Sequence, residues 1–185
     1  DIDEVAKAIG MDSRIGSKFL KTSVGFGGSC FQKDILNLVY ICKSLKLNKV
    51  ADYWEQILII NNHQRNRFSN KIINIIKINS LTKNVCILGW AFKKDTNDTR
   101  ESAAIYVANN LIKSKIKTKI YDPKVQKYQI DFDLKYINKN INKKFYKVYK
   151  NKMQCLKETN VIAILTEWDE FNDYNWELIY DNMNK

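Results

Sequence analysis

A chain of 185 residues is long enough to bury one good core, or one core plus a helical extension. With 45% of its residues apolar and 12% aromatic it lies outside the composition of chains too polar to collapse. The net charge of +11 raises nucleic acid as a partner, but no stretch approaches the roughly 18 apolar residues of a membrane span, and DIDEVAKAIG lacks the basic and apolar regions of a signal peptide. A soluble, cytosolic protein is expected.

The opening residues read as helix, with Ile2, Val5, Ala6 and Ile9 on one face, so the chain begins inside an element, as a fragment would. Next comes SVGFGGSCFQKD, Ser23 to Asp34, where Gly25, Gly27 and Gly28 lie within five positions of Cys30. Glycines there let the backbone take positive φ and let a bulky ligand approach amides that can face an anion.

Helical spacing resumes from Phe31 to Leu45 (Ile35, Leu36, Leu38, Val39, Cys42, Leu45) and is broken by SLKLNK. A second helix runs from about Val50 through Ile76, with Trp54, Ile57, Leu58, Asn61 and Phe68 spaced by three or four. Its apolar face is broad enough to bury against a partner such as a second subunit. His63, in NNHQRNR, reads as surface or capping, and Trp54 and Trp168 as packing residues.

From Lys83 the pattern changes. NVCILGWAF reads as a buried parallel strand ending at Gly89. A helix from about Glu101 to Ser114 follows, then a strand at Thr118 to Tyr121 ended by DPK. Lys135 to Lys152 reads as an irregular basic stretch, MQCLKETN as a short helix, VIAILTEW as a buried strand and DYNWELIYDNMNK as a last helix. Strands alternating with helices imply an α/β unit with a doubly wound parallel sheet, behind a helical unit that ends near Ser80.

The basic stretch interleaves lysines with Tyr136, Phe145, Tyr146 and Tyr149, which is compatible with a stacking surface for single strands. A solvated Lys/Asn-rich loop is the favoured reading, because charge runs usually form solvated faces.

The four cysteines, Cys30, Cys42, Cys86 and Cys155, form no CxxC pair, so neither a metal site nor a disulfide framework is indicated. Cys30 differs from the others by position. At the start of the Phe31 helix, unpaired N–H groups and the helix dipole favour a negative charge such as a thiolate. Lys33 would favour that charge; Asp34 would oppose it, yet a carboxylate there can activate a water attacking a species bound to the sulfur. Cys42, Cys86 and Cys155 read as small buried hydrophobes.

A second cluster, GWAFKKDTNDTRES, Gly89 to Ser102, occupies the loop after the first strand, where open sheets bind ligands. Lys93, Lys94 and Arg100 are placed to meet phosphate. The Gly89 region lacks the later glycines of GxGxxG, which favours nucleotide binding over dinucleotide binding by this half alone.

GFGGSCFQKD, YWEQILIINNHQRNRF, ILGWAFKKDTNDTRES, IYDPKV and LTEWDEF resemble, in order and spacing, the UDP-glucose/GDP-mannose dehydrogenase family. The likeness covers essentially the whole chain outside Lys135 to Lys152, and Gln32 fits the eukaryotic branch. The resemblance implies a cytoplasmic, NAD-dependent enzyme that oxidises the C6 hydroxymethyl of UDP-glucose to a carboxylate in two hydride transfers. Cys30 would be the nucleophile, held first as a thiohemiacetal and then as a thioester, and Asp34 would help activate the hydrolytic water. Lys21, Thr22, Ser23, Val24, Gly25, Phe26 and Gly27 would wrap the sugar and diphosphate, with Phe92 and Lys93 reaching in from the second unit. Cys30, Phe31, Gln32, Lys33 and Arg100 would border the NAD nicotinamide, and Arg14 would reach the substrate of a neighbouring subunit.

The resemblance further implies a central, dimerising unit at 1–80 carrying the cysteine loop and a UDP-binding, Rossmann-like unit at 81–185. It also implies a homo-oligomer formed through the central helices, without metal, nucleic acid or membrane. The family's N-terminal NAD-binding domain would precede Asp1 and its last strand would follow Lys185, so the isolated chain is expected not to turn over UDP-glucose. The alternative is a stand-alone nucleotide-sugar binding or assembly module, whose glycine loop is only a ligand cradle. Faster alkylation of Cys30 than of the other thiols separates the two.

Overall fold

The computed structural model describes residues 1–18, 20–79 and 82–184. Helix α1 (Ile2–Gly10) is capped by Asp1, whose carboxylate accepts from the Asp3 N–H at 3.0 Å, and buries none of its residues within the chain. Helices α2 (Phe31–Ser44) and α3 (Asn48–Ile78) pack on each other, Ile35, Val39 and Cys42 meeting Ala51 with Trp54, Ile57 and Leu58 around them. Lys46, at φ 59, makes the sharp turn between them.

With 31 residues α3 is about 47 Å long. Its first half completes the small α2 cluster, and Ile72 and Ile76 near its end enter the main core, so one rigid element spans both units.

The second unit runs β1 (Asn84–Leu88), α4 (Ala103–Lys113), β2 (Lys117–Tyr121), α5 (Lys127–Ile137), β3 (Tyr146–Val148), α6 (Lys152–Leu156), β4 (Val161–Ile164) and α7 (Trp176–Asp181). All pairings are parallel, in the order β3-β2-β1-β4, with Val85 opposite both Thr118 and Val161. The winding reverses between β1 and β4, the doubly wound arrangement expected from the alternating pattern. Val85 to Leu88 are fully buried, which is why β1 reads as a continuous apolar run rather than an alternating one.

Helix α5 and strand β3 fall in or beside the stretch read as irregular. Ile130 and Leu134 give α5 a buried stripe, but the aromatics and lysines around them blur its period, and three-residue β3 is too short to show one. The expected boundary near Ser80 lies outside the described residues.

Three of the four aromatics of the basic stretch are engaged elsewhere than in a stacking platform, whereas Tyr136 is exposed and stacks on Phe132. Phe145, Tyr146 and Tyr149 pack against the main core, Tyr146 donates its hydroxyl to Asp131 at 3.0 Å, and Lys119 and Lys147 lie over the Tyr149 ring. Among the described residues no helix is long and apolar enough to cross a membrane.

Candidate functional site

The glycine loop is shaped by what presses on it. Gly25 has φ +139, and a Cβ there would meet Asn61 Oδ1 of α3 at 2.6 Å; Gly28 has φ +88, and a Cβ there would meet the Phe92 ring at 3.0 Å. These positions need glycine both for conformation and for room. The loop is thereby wedged between α3 and the segment following β1.

Cys30 takes the N-cap position of α2 and is exposed, with Sγ 3.6 Å from Ser29 Oγ. Lys33 and Asp34 follow in the first turn, both exposed, and the Asp34 N–H closes that turn onto the Cys30 carbonyl at 2.8 Å. Cys42, Cys86 and Cys155 are buried. Cys86 and Cys155 meet at 3.0 Å in the core, and burial pushes the Cys86 thiol well up.

The Gly28 N–H donates to the Arg100 carbonyl at 2.8 Å, which brings the cysteine loop to the second cluster. Arg100 is forked onto Asp98, Nε to Oδ1 at 3.0 Å and Nη2 to Oδ2 at 2.7 Å. That hydrogen bonding holds the Asp98 carboxyl below its ordinary value and lifts the guanidinium, to which Cys30 adds a smaller electrostatic contribution.

Asp122 sets the GWAF segment. Its Oδ2 accepts from the Trp90 N–H at 2.6 Å, the Ala91 N–H at 3.1 Å and the Trp168 indole at 3.1 Å, and its Oδ1 from the Lys124 and Val125 N–H groups at 2.8 Å each. Trp90 donates its indole N–H to Asp133 at 2.9 Å, and Thr166 donates to the Ala91 carbonyl at 2.6 Å. Loops after β1, β2 and β4 are thus tied at the carboxyl end of the sheet, beside its winding reversal. The sequence offered Asp122 only as part of a turn; an acid directly after a strand and before proline was the signal available.

Three hollows surround these groups. One of about 450 Å³, between α2 and α5, is lined by Gln32, Lys33, Arg100, Tyr106 and Tyr136 among others, so three of the five residues expected to border the cofactor share it. Cys30 itself lines none of the three hollows, although its neighbours Ser29 and Gln32 line this one, and Phe31 turns its ring onto Phe26 at 4.7 Å. A second, of about 340 Å³ at the carboxyl end of the sheet, joins Lys21 to Lys94, Trp168 and Asp169, with Lys94 paired to Asp169 at 2.7 Å. Thr22, Ser23 and Val24 face a third, of about 260 Å³, beside Arg67 and Lys71.

Of the expected substrate residues, Lys21 lines one hollow and Thr22, Ser23 and Val24 another, while Gly25, Phe26, Gly27, Phe92 and Lys93 line none of the three. Lys93 lies 5.5 Å from the centre of the Phe92 ring. Arg14 stands apart, exposed and forked onto its own Asp12, Nη2 to Oδ2 at 2.6 Å. Among the described residues no group of three or more His, Cys, Asp or Glu side chains is arranged to hold a metal ion.

Residues 86–185 match the family model for the UDP binding domain of the UDP-glucose/GDP-mannose dehydrogenase family, and residues 1–63 match the model for its central domain. The chain belongs to that family. It is 49% identical over 189 residues to UDP-glucose 6-dehydrogenase of Drosophila melanogaster, an alignment covering 100% of this chain and 40% of that protein. Against UDP-glucose 6-dehydrogenase of Caenorhabditis elegans it is 48% identical over 99% of this chain and 38% of the relative. UDP-glucose 6-dehydrogenase 4 of Arabidopsis thaliana is 46% identical over 100% of this chain and 41% of its own length. The chain thus spans about 40% of the length of these relatives.

Among solved structures, the fold is similar to a UDP-glucose dehydrogenase from Pyrobaculum islandicum, with TM-score 0.74 and 24% identity over 94% of this chain and 37% of that one. It is also similar to GDP-mannose dehydrogenase from Pseudomonas aeruginosa, with TM-score 0.68 and 21% identity over 92% of this chain and 38% of that one. The UDP-glucose/GDP-mannose dehydrogenase fold is shared at this level. The interval between the two matched family domains, 64–85, holds the second half of α3 and the start of β1.

Proposed function

We propose that these residues form the cysteine-bearing central unit and the UDP-binding unit of an NAD-dependent UDP-glucose 6-dehydrogenase. One observation carries the reading. The chain's single exposed thiol, Cys30, stands at a helix start where the glycine loop meets the loop bearing Phe92 and Arg100.

The chemistry follows from that placement. Taking an alcohol to an acid without releasing aldehyde needs a soft nucleophile that later leaves well. Cys30 adds to the C6 aldehyde, giving a thiohemiacetal; loss of a second hydride makes this a thioester. Water, with Asp34 accepting its proton, attacks the carbonyl, and the C–S bond breaks to return the thiolate and the carboxylate.

The residues around the 450 Å³ hollow suit a cofactor's polar and aromatic parts: Gln32, Lys33 and Arg100 offer donors and positive charge, and Tyr136 offers a ring. NAD, when bound, would accept hydride from C6. Lys21 and Lys94, beside the sheet's carboxyl end, suit the diphosphate of UDP-glucose. Thr22 to Gly27, Phe92 and Lys93 are assigned to the sugar from the family resemblance, although Thr22 to Val24 face a separate hollow. Arg14, exposed on the central unit, would exchange its Asp12 partner for the substrate of a neighbouring subunit.

The exposed apolar faces of α1 to α3, including Val5, Ile9, Tyr40, Ile41, Tyr53 and Ile60, support a homo-oligomer formed through the central helices. Four free thiols support a reducing, cytoplasmic setting. A second reading, a nucleotide-sugar binding or assembly module, draws on the lack of a GxGxxG fingerprint in the 185 residues. NADH formation from UDP-glucose and NAD by the full-length protein, and none by these 185 residues alone, is the expected result. Full-length protein that binds UDP yet forms no NADH favours the second reading.

A further inference from the structure

Behind the residues that face the ligand lies a polar pair that the reaction scheme does not use. Asn61 and Arg65, one turn apart on α3, are 4% and 1% exposed. Arginine is rarely buried so fully unless it is paired. Every partner of this one across the fold belongs to a site segment.

Asn61 matches both polar atoms of the Phe26 residue: it accepts the Phe26 N–H at 2.9 Å and donates to the Phe26 carbonyl at 3.2 Å. Arg65 Nη2 donates to the same carbonyl at 2.8 Å and to the Glu101 carbonyl at 2.7 Å. Its guanidinium carbon lies 4.1 Å from the Tyr106 ring centre, and Nη1 is 3.6 Å from Glu101 Oε2, which also accepts the Tyr106 hydroxyl at 2.7 Å. Glu101 sits at φ 54, a conformation that a side chain rarely adopts without such restraint.

Between Lys21 and Ser29, the backbone's long-range hydrogen bonds among the described residues are those of Phe26 to this pair and of Gly28 to Arg100. Packing adds to these bonds, with Val24 against the main core, Phe26 against the α2 cluster and Gly28 against Phe92. We propose that Asn61 and Arg65 are positioning residues for the oxidation at Cys30, an inference that rests on the dehydrogenase reading. They hold Phe26 from behind and tie it to Glu101, so that the glycine-loop amides, Cys30 and Arg100 keep one spacing across the two units. The side-chain types suit the task. A primary amide satisfies a peptide N–H and C=O together; the guanidinium gives its Nη2 hydrogens to two carbonyls while Nη1 faces Glu101 and its plane lies against the Tyr106 ring, and an ammonium lacks the second nitrogen and the plane to keep all of these.

A purely structural role would only remove folded molecules. It would lower kcat in proportion to the active fraction and leave KM unchanged. The test uses the full-length enzyme with Arg65→Lys, which keeps the charge, and Asn61→Ala, which suits a helix and serves if the first variant fails to fold. Active sites are counted by Cys30 alkylation, and kcat, KM for UDP-glucose, UDP affinity and per-site alkylation rate are measured. The expected result is a fall in kcat/KM of about 100-fold per active site, as for a reacting group displaced by about 1 Å. A raised KM and an altered alkylation rate accompany it.

Unchanged KM, UDP affinity and alkylation rate per folded molecule overturn the proposal. Wild-type protein that makes no NADH overturns instead the dehydrogenase reading. The clamp is then decided by UDP affinity and Cys30 labelling, unchanged values counting against it and weakened binding with altered labelling for it.

Discussion

Gly28 lies so close to Phe92 that a single added carbon would stand 3.0 Å from the edge of its ring. The two residues come from different units, and their contact is one of the points where the cysteine loop rests on the loop after β1. Gly28→Ala adds that carbon at φ +88. Expected is a loss of about 1 to 3 kcal/mol, read from denaturant unfolding. Phe92→Ala should restore part of it, giving a coupling of at least about 0.5 kcal/mol in a double-mutant cycle. Strictly additive effects would show that the ring does not press on Gly28.

Cys30 differs from the other thiols by exposure. Under native conditions iodoacetamide should label Cys30 first, with Cys42, Cys86 and Cys155 labelled only after denaturation. Peptide mass mapping reads the order. Saturating UDP-glucose should slow labelling at Cys30 if, as proposed, the ligand covers the loop. Early labelling of Cys42 would contradict the α2 and α3 packing.

Asp122 gathers five N–H donors. Asp122→Ala leaves several of them buried without acceptors, each costing about 1 to 3 kcal/mol, so a destabilisation of at least about 3 kcal/mol is expected. Thermal and denaturant unfolding check it. A change of only a few tenths would mean that the turn finds other acceptors.

The Asp98 to Arg100 fork has a definite pH signature. Because the folded state holds Asp98 below its ordinary carboxylate value, the unfolded chain binds the proton more readily. The contribution is therefore fully present above about pH 4, the unfolded range, and is lost as pH falls through the depressed folded value. Asp98→Asn should lower stability near neutrality, and its curve should approach the wild-type curve in acid. A difference constant at every pH would contradict the pairing.

Much of this was legible in the residues. β1 announced itself because both of its faces are buried, leaving no polar alternation to confuse it. The order of strands and helices then fixed the sheet type. α5 was missed because Tyr128, Phe132 and Tyr136 point outward, so its exposed face is nearly as apolar as its buried one. At the site, Cys30 stood out because glycine and a helix start are local signals. The bonds of Asp122 to Trp90, Asn61 to Phe26 and Arg65 to Phe26 stayed hidden, since they span 32, 35 and 39 residues; only the Asp122 bonds to the Lys124 and Val125 N–H groups are local. Arg65 lies in the polar run NNHQRNR, yet it is buried.

The most direct test of the central claim compares full-length wild-type protein with Cys30→Ala, following NADH formation from UDP-glucose and NAD. With Cys30 as the nucleophile, the variant should bind UDP normally while losing at least about 1,000-fold in turnover, as expected when an acting nucleophile is removed. A variant that still makes NADH within about three-fold of the wild-type rate would contradict the role given to that sulfur.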